Sequence, residues 1–279
     1  MRVFHDFTHR ARATVCGQAG AASVEFVLMA MLLLFLGFGA FEAARWMAER
    51  QVVGLALHEA GRAGIVSHGS PQAMHAAFEH TVGALFVSGN PARTRQRLRR
   101  FGQALHTATG APPWQIEIRS PTAAAFRDFS HALAPLPASG PRLPVQAPRI
   151  NNNYLAEQAA HYRRLGLPEG RGVESGVTIV DANTLALRLR YAYAPLAPGL
   201  KPLLRTLADA TEHPYSRQLF RHGYLPIRRD MAMMMQSHPA LWGLPANGRF
   251  TRPVAPGLLT MPASPRVSAR QAPPQAVGP

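Results

Sequence analysis

The chain contains one apolar run that a water-soluble fold would have difficulty covering. Residues 26–41 hold no charged side chain, and the apolar character extends over residues 21–44. As a helix, such a segment would span about 36 Å, which exceeds the hydrocarbon core of a bilayer at about 30 Å. A cleaved secretory signal has a shorter apolar region and a small-x-small cleavage site, whereas this run ends in GAFEAARW. We therefore predict a transmembrane helix rather than a signal peptide or a buried core helix.

The arginines that flank the run do not decide its orientation. The positive-inside rule counts Lys and Arg close to each end of a span, and here both ends hold three. Those before the run are Arg2, Arg10 and Arg12, and those after it are Arg45, Arg50 and Arg62.

A polar leader precedes the run and ends in CGQAG, after which the chain continues as AASVEF. If Gly20 is the last leader residue, Ala21 becomes the first residue of the remainder and Glu25 the fifth. This arrangement resembles the class III signal of type IV prepilins and pseudopilins. The resemblance implies that a prepilin peptidase cuts between Gly20 and Ala21 at the cytoplasmic face, and that the apolar helix stays in the mature protein.

The carboxylate of Glu25 needs a reason to lie at the edge of a membrane span. A charged group at the centre of a span costs roughly 2.5–3.5 kcal/mol on insertion scales. Cleavage would free an α-amine at Ala21, which is charged near neutral pH. Pairing of Glu25 with that amine, in the same or a neighbouring subunit, would offset the cost and set the axial register of a helical stack. The alternative is that Glu25 lies at the head-group boundary without a function.

A longer pattern begins at the same glycine. It consists of Gly20, Ala21, Val24, Glu25 and Phe26, followed by Glu42 with Arg45 and by Glu59 with Arg62. This segment resembles the TadE-like family of tight-adherence (Flp pilus) assembly proteins. The resemblance implies a non-enzymatic, pseudopilin-like component that associates with other pilin or pseudopilin subunits and with pilus assembly membrane proteins. It also implies a single-pass protein of the inner membrane, with a cytoplasmic N-terminus and a periplasmic C-terminal domain.

The remaining pattern predicts an α+β protein in four parts. These are a leader (residues 1–20), the transmembrane helix with its extension (21–66), a periplasmic α+β domain (67–250) and a disordered Pro-rich tail (251–279). The extension carries an apolar stripe of helical period at Val52, Leu55, Ala56, Glu59 and Ala63. Further helices are predicted from capping residues at Ser70-Pro71, at Asn90 and at Gly110.

Alternating patterns predict a small sheet. Residues 114–121 and 184–193 alternate, as do Ile227, Arg229, Met231, Met233 and Met235, so the methionines are predicted to fill the core. A strand is also predicted at residues 177–180, before a turn at 181–183. Residues 154–165 are predicted to be a polar helix, and the Pro-rich residues 134–148 a linker or long loop.

The chain is strongly basic, with a formal net charge of +15 and Lys201 as its single lysine. The densest basic run, residues 93–100, is predicted to be a solvated helix face; contact with anionic lipid or an acidic neighbour is the alternative. Nucleic-acid binding is not indicated, because no reading module accompanies the run. Cys16 is the single cysteine, and leader removal would leave a mature chain without thiols, which suits the periplasm.

No motif for catalysis or for a cofactor is evident. His75 and His80 flank Glu79 in an H-x-x-x-E-H pattern, but their spacing of five residues separates them by about 140° on a helix. A zinc-protease helix needs a spacing of four, so we expect no metal, no cofactor and no enzyme. The alternative function is that of an uncleaved, signal-anchored periplasmic binding or scaffold protein unrelated to pili.

Overall fold

The computed structural model describes residues 19–131, 147–197, 199–243 and 248–250. The chain divides into two compact units, Met1–Arg45 and Trp46–Pro279. We call the second unit the head. The first helix, α1 (Ala19–Val66), supplies the described part of the first unit and continues as the first element of the head.

The described part of the head is an α+β fold, which confirms the predicted fold class. Its longer helices after α1 are α2 (Pro71–Val82), α3 (Pro91–Thr109) and α5 (Leu155–Arg164). Its shorter helices are α4 (Ala123–Phe129), α6 (Ile179–Ala182), α7 (Leu200–Thr206) and α8 (Pro214–Arg221). Two 3-10 turns lie at Gly83–Phe86 and Pro168–Gly170.

Four strands form an antiparallel sheet in the order β5 (Leu225–Met234), β4 (Thr184–Tyr193), β1 (Trp114–Ser120) and β6 (Arg249–Phe250). The two long strands, β4 (Thr184–Tyr193) and β5 (Leu225–Met234), pair along their whole length, from Thr184 opposite Met234 to Tyr193 opposite Leu225. The strand β1 (Trp114–Ser120) pairs with β4 and with the short β6 (Arg249–Phe250). A separate two-stranded ladder joins β2 (Ser130–His131) to β3 (Arg149–Ile150).

The main core lies between one face of the sheet, α2 and the part of α1 that belongs to the head. The buried side of α1 consists of Val53, Ala56, Leu57 and Ala60, each at most 1% exposed. Of the predicted stripe, Ala56 is buried but Leu55 is 56% exposed, so the buried side is displaced by about one residue from the prediction. Glycines explain the difference. A Cβ at Gly61 would lie 2.3 Å from Cε of Met231, and a Cβ at Gly64 would lie 2.7 Å from Cδ2 of Leu185. Because these glycines let the helix approach the sheet closely, they define the contact face although they lack an apolar side chain.

The predicted capping residues and alternating strands are confirmed. The side chain of Ser70 accepts a hydrogen bond from the backbone N–H of Ala73, and that of Asn90 accepts one from Ala92. Gly110 ends α3 in the left-handed conformation, with φ at 69°. On β5, Ile227 and Met231 are buried, as is Met235 directly after the strand, which places the methionines in the core.

The predicted strand at residues 177–180 is wrong, because α6 begins at Ile179. The hydroxyl of Thr178 accepts a hydrogen bond from the N–H of Asp181, and the Asp181 carboxylate accepts one from the N–H of Thr178. This capping box fixes a helical turn in place of extended backbone. The short helix belongs to a second buried cluster, which contains Phe126, Phe129, Ile150, Tyr162 and Ile179.

Several predictions concern residues outside the described ranges. These predictions concern the leader up to residue 18, nearly all of the Pro-rich linker, and residues 251–279, for which a disordered tail was predicted. The division of the chain at residues 20, 66 and 250 stays a prediction.

The close approach of α1 to the sheet leads to a first testable prediction. In a Gly64→Val variant, the Cβ would lie 2.7 Å from Leu185 Cδ2 and 2.8 Å from Met74 Sδ. We expect the free energy of unfolding of the head to fall by about 1–3 kcal/mol, the usual cost of overpacking a core. Urea unfolding of the detergent-solubilised chain, followed by tryptophan fluorescence, measures this change. The control is Gly89→Val, because a Cβ at Gly89 meets no atom within 4 Å; equal midpoints for the two variants would contradict the prediction.

Candidate functional site

The described part of the first unit is an apolar helical surface without a cover. Every large apolar side chain from Val24 to Phe41 is more than half exposed. Among the described residues, α1 is the one helix long and apolar enough to cross a membrane, with a mean hydropathy of 2.3 over its best window. A helix that is hydrophobic all round requires lipid or other apolar helices around it. This surface is the first component of the candidate site.

Glu25 is the single charged residue between positions 21 and 41, and its side chain is exposed. The backbone is already helical from Ala19 onward. Positions 21 and 25 are therefore separated by about one helical turn, some 6 Å along the axis, and lie on nearly the same side. A charge at the backbone nitrogen of Ala21 would consequently be within reach of the Glu25 carboxylate, in the same chain or in a neighbour shifted by one turn.

A shallow apolar groove follows one side of this helix. Positions 37 and 39 are glycines, and a Cβ at either would meet no atom within 4 Å. The absence of a side chain at Gly37 forms a notch in which the side chain of another helix can pack, as small residues allow in membrane bundles. The groove is lined by Phe26, Met29, Ala30, Leu33, Leu34, Gly37, Phe38 and Phe41.

Two acid–arginine pairs follow the apolar run on α1, both at a spacing of three residues. Nη2 of Arg45 lies 3.4 Å from Oε1 of Glu42, and Nη1 of Arg62 lies 3.5 Å from Oε1 of Glu59. Glu42 is buried, with 6% of its surface exposed. The side chain of Arg62 is 70% exposed, so this second pair contributes little to stability. Because Glu42 is buried, its carboxylate needs the nearby positive charge of Arg45 to offset the cost of burial.

The second face of the head's sheet is charged. Its described members are five arginines and two carboxylates from all four strands, and Arg188, for example, lies directly opposite both Glu117 and Asp230. The central contact joins Nη1 of Arg190 to Oε2 of Glu117 over 3.0 Å, and both side chains are less than 10% exposed. The members are Glu117, Arg119, Arg188, Arg190, Arg228, Asp230 and Arg249.

Hydrogen bonds keep both carboxylates of this face ionised. Burial alone would raise the pKa of Glu117, but hydrogen bonds from Arg119 and Arg190 hold it below the ordinary value. In the same way, burial opposes ionisation of Asp230, while Arg188 and Arg228 lower its pKa.

The same positive surroundings favour the uncharged form of a histidine at this face. Burial, together with Arg190 and Arg249, lowers the pKa of His213, so this side chain is neutral near pH 7.

Of the histidine pattern singled out in the sequence, His75 packs against the core residue Trp114, whereas His80 is exposed. Nδ1 of His75 lies 3.8 Å from Oε1 of Glu79, and Nε1 of Trp114 donates a hydrogen bond to Nε2 of His75 over 3.3 Å. Both ring nitrogens of His75 therefore face protein groups. Over the described residues, no group of three or more His, Cys, Asp or Glu side chains is arranged to hold a metal ion.

The basic run lies on α3, and all five of its arginines are exposed. Leu98 and Leu105 on the opposite side are buried. One arginine has a local contact, since Nη1 of Arg97 donates to the backbone oxygen of Val87 over 3.1 Å. The helix contains no acidic residue, so its outer side is a positive surface.

Comparison with known proteins supports the family resemblance. Residues 20–62 match the model of the TadE-like protein family. The comparisons gave no significant match to a curated protein or to a solved structure. The matched segment contains the motif residues named for that resemblance, from Gly20 to Arg62. It begins in the first unit and ends inside the head.

Proposed function

We propose, starting from this TadE-like segment, that the chain is a membrane-anchored, pseudopilin-like component of a tight-adherence pilus system. It acts by association: its apolar helix packs beside the helices of other pilin or pseudopilin subunits, and its head contacts the membrane proteins of pilus assembly. The observation that carries the proposal is the uncovered apolar surface of α1, with a single carboxylate one turn after Ala21.

In the proposed topology, the leader is cytoplasmic, the apolar helix crosses the inner membrane and the head is periplasmic. A prepilin peptidase removes residues 1–20 and exposes the amine of Ala21. The amine and the Glu25 carboxylate then neutralise each other near lipid, either within one chain or between neighbours. The apolar groove of α1 and the notch at Gly37 allow a second helix to pack closely against α1.

The motif pairs after the apolar run fit a structural role within this proposal. The pairing of Glu42 with Arg45 neutralises a carboxylate that the fold buries. Glu59 and Arg62 lie on an exposed part of α1, where they can meet a partner protein. Val24 and Phe26 are exposed beside Glu25, in the position of contact residues for a neighbouring helix.

The test of the proposal is the N-terminal sequence of the protein isolated from membranes, with and without a co-expressed prepilin peptidase. We expect the N-terminus to be Ala21 only when the peptidase is present. A Gly20→Leu variant should remain uncleaved, because the cut requires the backbone freedom of glycine, and a Gly39→Leu variant should be cleaved normally. An N-terminus at Met1 or Arg2 under both conditions would contradict processing and favour an uncleaved, signal-anchored scaffold protein.

A further inference from the structure

One end of the head must stay close to the apolar segment because of the covalent chain. Phe41, the last large residue of the exposed apolar surface, and Trp46, the first residue of the head, are only five positions apart. Five residues reach at most about 18 Å when fully extended. Whatever direction the head takes, the part of it around Trp46 therefore remains within that distance of the end of the apolar surface. We call this part the entry end.

Contacts inside the head show which elements lie at the entry end. The helix α1 and the strand β5 run in the same direction, since Arg229 lies against Gly54 and the N–H of Gln236 donates to the oxygen of Ile65. Followed backwards, they reach Trp46 and Leu225, which pack against the same core cluster. Leu225 begins β5 and pairs with Tyr193 at the end of β4. The helices α7 and α8, which connect these two strand ends, consequently lie at the entry end.

The basic helix α3 lies at the same end. The ring of Phe101 stacks on that of Tyr191, with 6.1 Å between centroids. Leu105 belongs to a buried cluster with Ala192 and with Tyr215 and Leu219 of α8. The last residues of β4 are thus covered by α3, which shares a buried cluster with α8.

The outer surface of these helices combines positive charge with exposed leucines. The five arginines of α3 are exposed, as are Lys201 and Arg205 of α7. Beside these two cations, Leu196, Leu203 and Leu207 are exposed by 66%, 58% and 45%. The acids nearest to them in sequence, Asp209 and Glu212, lie in the connection to α8, where Asp209 pairs with Arg221 over 3.6 Å.

We propose that this surface of α3, α7 and the residues that flank α7 docks on the anionic head groups of the bilayer that holds α1, with Leu196, Leu203 and Leu207 inserted at the interface. Cations flanking exposed leucines on a short helix are the chemistry of an interfacial segment. Juxtamembrane Lys and Arg are attracted to anionic lipid when they lie within about one Debye length, some 8–10 Å, of its surface. The inference rests on the membrane anchoring in the proposed function but not on leader cleavage or on pili.

The experiment places a fluorescent probe at the proposed contact in the full-length chain. Cys16→Ser removes the native thiol, and Leu203→Cys is then labelled with an environment-sensitive dye in α7. The control probe is at Val173→Cys, which replaces an 83% exposed apolar residue in the loop before α6, near the opposite end of β4. Both proteins are reconstituted into phosphatidylcholine vesicles with or without phosphatidylglycerol, and quenching by brominated lipid is measured.

We expect the probe at position 203 to be quenched at least about twofold more than the probe at 173, and only with phosphatidylglycerol present. High salt should remove the difference. Three charge-neutralising substitutions on α3 should also remove it, and three matched substitutions far from the entry end should not. The test set is Arg93→Gln, Arg97→Gln and Arg100→Gln; the control set is Arg163→Gln, Arg164→Gln and Arg171→Gln.

Three results would overturn the inference. Equal quenching of the two probes in vesicles with which the protein co-floats would show an anchored head that does not dock. Equal quenching with and without phosphatidylglycerol would exclude anionic lipid as the ligand. Protection of position 203 only after an acidic protein partner is added would assign the surface to that protein. Failure of the chain to co-float with vesicles would contradict the anchoring as well, whereas the first three results leave the proposed function intact.

Discussion

Replacement of Glu25 by alanine is expected to reduce pilus assembly at least about tenfold while leaving leader cleavage and membrane insertion unchanged. Without the carboxylate, the charged amine of Ala21 would remain near lipid without a partner. A charge within a membrane costs roughly 2.5–3.5 kcal/mol at the centre of a span, and about 1.4 kcal/mol already corresponds to a factor of ten. The variant helix is more apolar than the wild type, so insertion itself should not suffer.

The measurement compares the amount of sheared pili, and of this protein co-purified with other subunits, between wild type and variants. Glu25→Asp keeps the charge on a shorter side chain and should restore part of the assembly. Glu25→Gln keeps the shape without the charge and should behave like Glu25→Ala. N-terminal sequencing of each variant separates an assembly defect from a processing defect. Wild-type assembly by Glu25→Ala would refute the role of the carboxylate in subunit register.

A Glu117→Ala variant is expected to destabilise the head by about 3–5 kcal/mol, the cost of leaving one partner of a buried ion pair uncompensated. Arg190 would keep its charge while 7% exposed, beside further arginines of the same sheet face. Urea unfolding monitored by tryptophan fluorescence gives the change in the free energy of unfolding. The control is Arg119→Gln: this side chain also contacts Glu117 but is 54% exposed, so its loss should cost no more than about 1 kcal/mol.

The same pair leads to a defined pH dependence. Because the folded-state pKa of Glu117 is lowered, its ionisation stabilises the head above the pKa of an unfolded glutamate, and this contribution is lost as the pH falls through the folded-state value. The stability difference between wild type and Glu117→Ala should therefore shrink in acid. A double variant, Glu117→Leu with Arg190→Met, should recover most of the stability, since two apolar groups can replace a buried pair. A single-variant cost below about 1 kcal/mol would contradict the burial of this pair.

The sequence predicted those helix ends and strands that are determined by interactions between residues close together in the chain. The caps at Ser70 and Asn90 and the alternation in β4 act over a few residues, so the sequence contains them directly. The Thr178–Asp181 capping box was equally visible, but the apolar residues around it were interpreted as a strand. Helices such as α8, which begins at Pro214 after His213, also had a start signal that was not used.

The alternation in β4 places Arg188 and Arg190 opposite the core, but the contacts of the charged sheet face could not be predicted, because they join distant parts of the chain. Glu117 and Arg190 are 73 positions apart, and their pairing depends on the register of β1 against β4. The two-residue strands β3 and β6 likewise exist only through partners far away in sequence. The candidate site differs in this respect. Glu25 and the apolar run are contiguous, so the sequence shows both of them directly. The structure adds that the apolar side chains of this run are exposed and that Glu42 is buried.

The way α1 is shared between the two units limits how such a protein can diverge. The family match ends at residue 62, yet residues 53, 56, 57 and 60 within it are core residues of the head. An exchange of the N-terminal helix between relatives would therefore replace part of the packing against Leu185 and Met231. Substitutions on the buried side of the helix and on the facing strands should consequently arise together, and recombination that preserves folding is expected ahead of Trp46 rather than at the end of the helix.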